Sequence, residues 1–556
     1  MTYVALVGGY KMRRKSLSIT AVMIAAAFVM TACGQNGSLT SAQKEVQSEQ
    51  QQVATENITM EAMAADASKY TNAVQVVLSD EAVTVNGEVA GEAIDAAVYV
   101  SHDIIYYEDK DTYESGNLYG EGTDKDKHSA DEAAAHTVVN ITQPGTYLVT
   151  GKLSAGQIFV NVGEEETDKV TLILNGIDIT CTVAPAVMFY EVYECDADAS
   201  EESATYEVDT TNAGAKVVLA DGSVNNVTGS YVARIYKDNE EEKKLHKYDG
   251  AFYSKMSMEI AGGEEGSGIL NIHADNEGLD SEMHLTINGG NINIKSLNDG
   301  INVNEDGISV CTINSGNLNI ESADGEEGDG IDSNGWLVIN GGNIIASSNP
   351  KSQDAGIDSD MGIYINGGTV IACGNMYDHV EDGSTANMMV LQFQNSSKGN
   401  YTVKDEKNTE VFTFECVADY SNIVISSEKL MEGTYYIYNG DTQLSYTGNG
   451  MMGMGPRPDM GEGEMPEMKE GEMPTLPEGE VPQKPDGGKP ENDKMPEMKE
   501  DEKPTRPQEE NGQKPGGDRP QNGKMQGHGK GQMDSAEKTK EFVIGRGVNV
   551  FGGVTE

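Results

Sequence analysis

The chain is poor in positive charge, in cysteine and in aromatic rings, and each scarcity narrows what it can be. It carries 39 lysines and arginines against 91 aspartates and glutamates, a formal net charge of −52. A binder of polyphosphate needs a basic footprint, so nucleic acid is excluded as a partner. Six cysteines spread over 556 residues are too few and too scattered for a disulfide framework. The eight histidines include no pair at metal-ligand spacing, which argues against a zinc-type site. Aromatic residues make up 6% of the chain, and between Met256 and Val380 only Trp336, Tyr364 and Tyr377 are available for sugar stacking. That same stretch holds 20 acidic residues, Lys295 and Lys351, and no arginine. A lyase needs a strong base beside a cation, so lyase chemistry fits poorly. Inverting hydrolysis, which needs only two carboxylates roughly 6.5–9.5 Å apart, stays open.

Ile19 to Met30 is an apolar run of 12 residues broken only by Thr20. It is too short to span a bilayer, which takes about 20 residues. Met12-Arg13-Arg14-Lys15 before it and Met30-Thr31-Ala32-Cys33 after it are the pattern of a lipoprotein signal. Residues 1–32 are therefore expected to be a signal peptide and Cys33 the lipidated residue, with residues 1–11 upstream of the true start at Met12. Several acyl chains on one residue anchor firmly where one would be marginal. This places the chain on the extracellular face of a bacterial membrane. Cleavage would leave 524 residues and, with Lys11, Arg13, Arg14 and Lys15 removed, a charge of −56. Residues 33–75, rich in Gln, Ser, Glu and Ala, read as a flexible tether.

What the chain has in abundance is repetition. Ile-Asn-Gly-Gly stands at 287–290, 339–342 and 365–368, and Ile-Asn-Ser-Gly at 313–316, each start 26 residues from the next. Aligning the repeats gives apolar columns: Leu285, Cys311, Leu337, Ile363; Ile287, Ile313, Ile339, Ile365; Ile292, Leu318, Ile344, Val370; and Ile294, Ile320, Ala346, Ala372. Within each repeat the apolar positions alternate, the mark of strands with one buried face. Leu279, Ile301, Ile331 and Ile357, inside Gly-Leu/Ile-Asp/Asn motifs, supply a third face. Three short strands per repeat with glycines at the corners predict an all-β fold, a right-handed parallel β-helix of three-sided, 26-residue coils.

Organisation follows from composition. Residues 76–135 read as an N-terminal β region, with Ser129-Ala130-Asp131-Glu132 opening a short capping helix. Residues 136–380 form the β-helix, with polar loop insertions at 192–212 and 236–249, and 381–446 a C-terminal region of β-hairpins. Residues 447–538, rich in Met, Pro, Gly and Glu, read as a disordered insertion. Residues 539–556 are apolar again and read as a final strand returning to pair near Tyr435 to Tyr438.

Carboxylates gather at one corner of the repeats. Asp275, Glu277 and Asp280 are followed by Asp299, then by Asp324, Asp329 and Asp332, then by Asp354, Asp358 and Asp360. Stacked about 4.8 Å apart, such charges repel by roughly 3 kcal/mol per pair at an effective dielectric near 20. Hard oxygen ligands on a glycine-rich turn select Ca2+, with Asp275, Asp280, Asp299, Asp329, Asp332 and Asp358 as candidate ligands. The competing reading is a solvated acidic rim.

Several longer stretches carry a resemblance. Gly145-Thr-Tyr-Leu-Val-Thr-Gly151, Val170-Thr-Leu-Ile-Leu-Asn-Gly-Ile-Asp-Ile-Thr-Cys181, Val217-Val-Leu-Ala-Asp-Gly222 and Asp329-Gly-Ile-Asp-Ser-Asn-Gly335 are similar to a bacterial carbohydrate-binding β-helix family. It is typified by a clostridial surface protein that binds cellulose and polygalacturonate. The resemblance implies a right-handed β-helix, bound calcium and non-catalytic binding of plant cell-wall polysaccharide. Among the candidate ligands, Asp299, Asp329 and Asp332 lie inside closely matching motifs, whereas Asn276-Glu277 and Asp354-Ala355 depart from the family's Asp-Asp-Gly-Ile. A structural or adhesive surface spacer and a polysaccharide hydrolase are the alternatives.

Overall fold

The computed structural model describes residues 60–108, 118–119, 122–237, 240–323, 325–449 and 538–556. The signal segment, Cys33, most of the tether, Asp324 and nearly all of the Met/Pro/Gly/Glu-rich stretch lie outside the described residues. What is described is almost entirely β, arranged in mixed sheets with no closed barrel. Among the described residues there is one short helix, Ala130–Ala134, whose N-cap Ser129 accepts a hydrogen bond from the Glu132 amide.

The 26-residue spacing is written directly into the strand pairing. Leu285–Ile287, Val310–Ile313, Trp336–Ile339 and Gly362–Ile365 pair in parallel, with Leu285 opposite Cys311, Cys311 opposite Leu337, and Leu337 opposite Ile363. Asn291–Ser296, Asn317–Ser322, Asn343–Ser347 and Thr369–Gly374 pair likewise. Glu277–Ser281, Ile301–Val303 and Ile331–Ser333 form one end of a separate eight-stranded sheet, and Ile357 bridges Ile331 beyond it. The apolar columns are buried: Leu279, Ile301, Ile331, Ile292, Leu337 and Ile363 share one core. Each fully buried Leu or Ile contributes on the order of 2 kcal/mol.

The corners explain both the invariant and the variable glycine. The second residue of each Gly-Gly pair has positive φ: Gly290 +103°, Gly316 +115°, Gly342 +91° and Gly368 +78°. A side chain there would also strike the neighbouring repeat, since a Cβ on Gly368 would lie 2.5 Å from the Gly342 carbonyl oxygen. The first position carries less constraint in the second motif, where Ser315 stands. Beside these corners asparagines chain from repeat to repeat: Asn314 donates to Asn288 at 2.9 Å, Asn340 to Asn314 at 2.9 Å and Asn366 to Asn340 at 3.0 Å.

At each end of the parallel stack a strand of opposite direction closes part of the edge. Val98–Ser101 pairs antiparallel with Thr137–Ile141, and Asn422–Ser427 pairs antiparallel with Thr369–Gly374. Open parallel edges are templates for aggregation, and this arrangement covers part of them. Beyond lies a five-stranded antiparallel sheet over a second core containing Tyr401, Val403, Phe414, Ile437 and Phe542. Phe542–Ile544 pairs with Gly433–Asn439, with Tyr435 opposite Phe542, and Val548–Val554 pairs in parallel with Met388–Phe393.

Candidate metal centre

In the Gly-Ile-Asp motifs, the isoleucine points into the core and the aspartates on either side are left at the outer corner. The pairing stacks Asp280, Asn302 and Asp332 in one column. Asp329, Asp332 and Asp358, all half-buried, each place an oxygen within 4.8 Å of the others. One repeat earlier, Asp299 accepts the Asp329 amide at 2.7 Å, and Asp329 accepts the Ala355 amide at 2.5 Å. Backbone amides therefore hold these two carboxylates in place while leaving their second oxygens to the corner.

The electrostatics are unfavourable for ionised acids. Burial, then Glu277, Asp332 and Asp329, hold Asp299 well above the usual carboxylate range. Burial, then Asp358 and Asp332, push Asp329 up to about 9. Asp358 is raised to about 6 by burial and by Asp360 and Asp354. Asp378, raised to about 7 by burial and by Asp358, extends the cluster toward the last repeat. Asn302 adds a distinct feature: its Nδ2 donates to Glu277 at 3.0 Å, while its buried Oδ1 meets no donor among the described residues. A buried acceptor without a donor costs about 1–3 kcal/mol. Half-buried oxygens that repel one another, beside an acceptor lacking a donor, fit a hard divalent cation; the donor set contains no thiolate or imidazole.

The candidate ligands are not all brought together. Asp329, Asp332 and Asp358 converge and Asp299 adjoins them. Asp280 is fully buried and accepts the Asn304 side-chain amide at 3.0 Å, one position along the same column as Asn302. Asp275 is exposed and lies outside this group, close enough to Tyr231 to raise that phenol. Asp378 escaped the sequence reading because no Gly-Ile-Asp motif marks it; its carboxylate instead accepts the Ser359 amide at 3.2 Å.

The three aromatics open to stacking on sequence grounds are largely covered. Trp336 is 9% exposed and Tyr377 5%. Residues 192–212, expected as a loop, lie along the outer face of the repeats. Glu194 accepts the Ser257 amide at 2.6 Å, Thr210 donates to Thr286 at 2.7 Å, and Tyr206 stacks on Tyr364 with ring centroids 4.3 Å apart. Ala204 and Val208 pack against Val310, Trp336 and Val338. His284 pins the same segment: its Nδ1 accepts the Val310 amide at 3.1 Å, so Nε2 carries the proton facing Asp196 at 3.2 Å.

A family model described as carbohydrate-binding domain-containing protein matches residues 135–443. A curated relative of that same description from Acetivibrio thermocellus is 30% identical over 178 residues, 31% of this chain, and the match spans about half (51%) of the relative's length. A solved structure titled a polysaccharide lyase-like protein from C. thermocellum, a gadolinium derivative, aligns over 56% of this chain and 92% of its own at 20% identity. Its TM-score is 0.32, too low to carry an argument.

Proposed function

Since this chain belongs to the carbohydrate-binding domain-containing family, we propose that it holds cell-wall polysaccharide at a bacterial surface without cleaving it, in a calcium-dependent manner. The observation that carries the reading is the convergence of Asp329, Asp332 and Asp358 within 4.8 Å at an acidic, half-buried corner. Calcium bound there would neutralise the cluster and offer open coordination positions to uronate carboxylates. The residues then have separable tasks. Asp329, Asp332 and Asp358 would hold one cation, and Asn302 Oδ1 with Asp299 and Asp332 would serve a second, one repeat away. The backbone amides of Asp329 and Ala355 keep Asp299 and Asp329 from turning into solvent.

The parallel registers and corner glycines support winding as a parallel β-helix with the cluster along one edge. Cys33 lipidation and the tether to about residue 75 would set that edge away from the membrane. An acidic pectin-like glycan is favoured as ligand because the covered aromatics leave little surface for stacking neutral sugars. Pull-down on pectate and on cellulose, with and without a chelator, tests the proposal. Chelator-sensitive retention on pectate is expected. No retention on either would indicate a surface spacer, and release of reducing ends a hydrolase. Asp332→Asn removes one charge shared by both cation positions at nearly constant volume. It is expected to weaken calcium binding at least tenfold by calorimetric titration, while leaving the β signature in circular dichroism unchanged.

A further inference from the structure

Cys373 falls outward in the repeat register, beside inward Ala372, yet it is fully buried. The reason is the antiparallel cap: Cys373 pairs with Ile423 and projects into the second core, alongside Cys416 from the strand Glu410–Cys416. Cys416 is 1% exposed. Its Sγ lies 3.3 Å from the Ala418 carbonyl and 3.7 Å from Ser397 Oγ. Cys373 and Cys416 share this second core, and each sulfur acts on the ionisation of the other, favouring the Cys416 thiolate and disfavouring that of Cys373. Among the described residues, Cys181 and Cys311 are buried in the repeat core, apart from the core that holds Cys373 and Cys416, and Cys195 belongs to neither core, burial pushing its thiol up to about 12.

We propose that Cys373 and Cys416 form a disulfide that staples the last repeat to the C-terminal sheet when the chain folds in an oxidising, extracytoplasmic setting. Each thiol gives up its proton and the pair gives up two electrons to a small-molecule or protein disulfide, which is reduced to two thiols as the S–S bond forms. Cys416, as thiolate, attacks the oxidant's disulfide to give a mixed disulfide; the Cys373 thiolate then displaces the oxidant's remaining thiol. Because both sulfurs are buried in the folded chain, the bond closes during folding, while the cap is still docking. It joins elements 43 residues apart in sequence (373 to 416), a loop long enough for closure to stabilise the fold appreciably.

The test is to refold the full chain with oxidised glutathione, alkylate it in denaturant and map the peptides. A Cys373–Cys416 linked peptide is expected, two hydrogens lighter than its reduced form, with Cys181, Cys195 and Cys311 alkylated. Reduction should lower the melting temperature by several degrees, a difference that Cys373→Ser and Cys416→Ser each abolish. The mapping uses the native sequence, so it remains decisive if a serine variant folds poorly. Full alkylation of both cysteines, or a link from either to a different cysteine, would overturn the proposal.

Discussion

Calcium is expected to raise the melting temperature of the metal-free chain by at least about 5 °C at pH 8 and by much less at pH 5. The sign follows from the raised carboxyls. An aspartate whose folded pKa lies above its unfolded value of about 3.9 binds its proton more tightly when folded. The stability it contributes is complete below pH ~4 and is lost as pH rises through the folded pKa. With Asp358 at about 6 and Asp378 at about 7, the metal-free chain loses stability between roughly pH 4 and 7, and Asp329, at about 9, carries the loss above pH 7. The Asp358 and Asp378 shifts each correspond to about 3–4 kcal/mol, and the two do not add, because the repulsion between Asp358 and Asp378 contributes to the shift of Asp378. Calcium would take the place of the protons, so chelated protein should melt lower at pH 8 than at pH 5, while calcium-loaded protein should not. Scanning calorimetry at the two pH values, with calcium and with chelator, measures the contrast. Equal calcium effects at both would remove the cluster as the binding site.

The second large effect is expected from one methyl group. Gly330 separates Asp329 from Ile331 and Asp332, and a Cβ there would sit 2.4 Å from the Gly356 carbonyl oxygen and 3.0 Å from Ala346 Cβ. That carbonyl accepts the Ile331 amide at 3.2 Å, so the clash falls on the hydrogen bond joining adjacent repeats. Gly330→Ala should destabilise by about 3 kcal/mol or more, since the obstacle is backbone that cannot swing aside. It should also weaken calcium binding, because moving the repeats apart separates Asp332 from Asp358. Gly448→Ala is the control: nothing lies within 4 Å of its Cβ position, and the change should leave the denaturation midpoint nearly unaltered. A Gly330→Ala midpoint matching that control would contradict the close stacking of repeats at this corner.

The parallel registers were legible in the sequence because two periods coincide there, alternation along each strand and a 26-residue return. Column partners such as Cys311 and Leu337 could therefore be paired by counting. Asp299, Asp329, Asp332 and Asp358 were visible for the same reason, each fixed by a glycine and an inward isoleucine. Asp378 was not, because the period fails there: Ala355 bridges Met376 only 21 residues on, and Ile363 bridges Val380 only 17 on. The segment over the outer face was hidden by its polar composition, although Ala204, Tyr206 and Val208 alternate as a strand-like contact would. The environment of Cys373 depends on a sheet formed by residues 399–439 and 542–544. No local pattern around position 373 encodes that partner. Asp275 shows the limit of reading by neighbourhood: it lies among the same acids in sequence, yet it is exposed and not part of the group that converges.

The most direct measurement is titration of the full chain with polygalacturonate in solution, at neutral pH, in calcium and again after chelation. Binding in calcium that falls at least tenfold on chelation, and equally in Asp332→Asn with calcium present, is the expected result. Undiminished binding after chelation, or in Asp332→Asn, would contradict a cation held at this corner as the bridge between the chain and its polysaccharide.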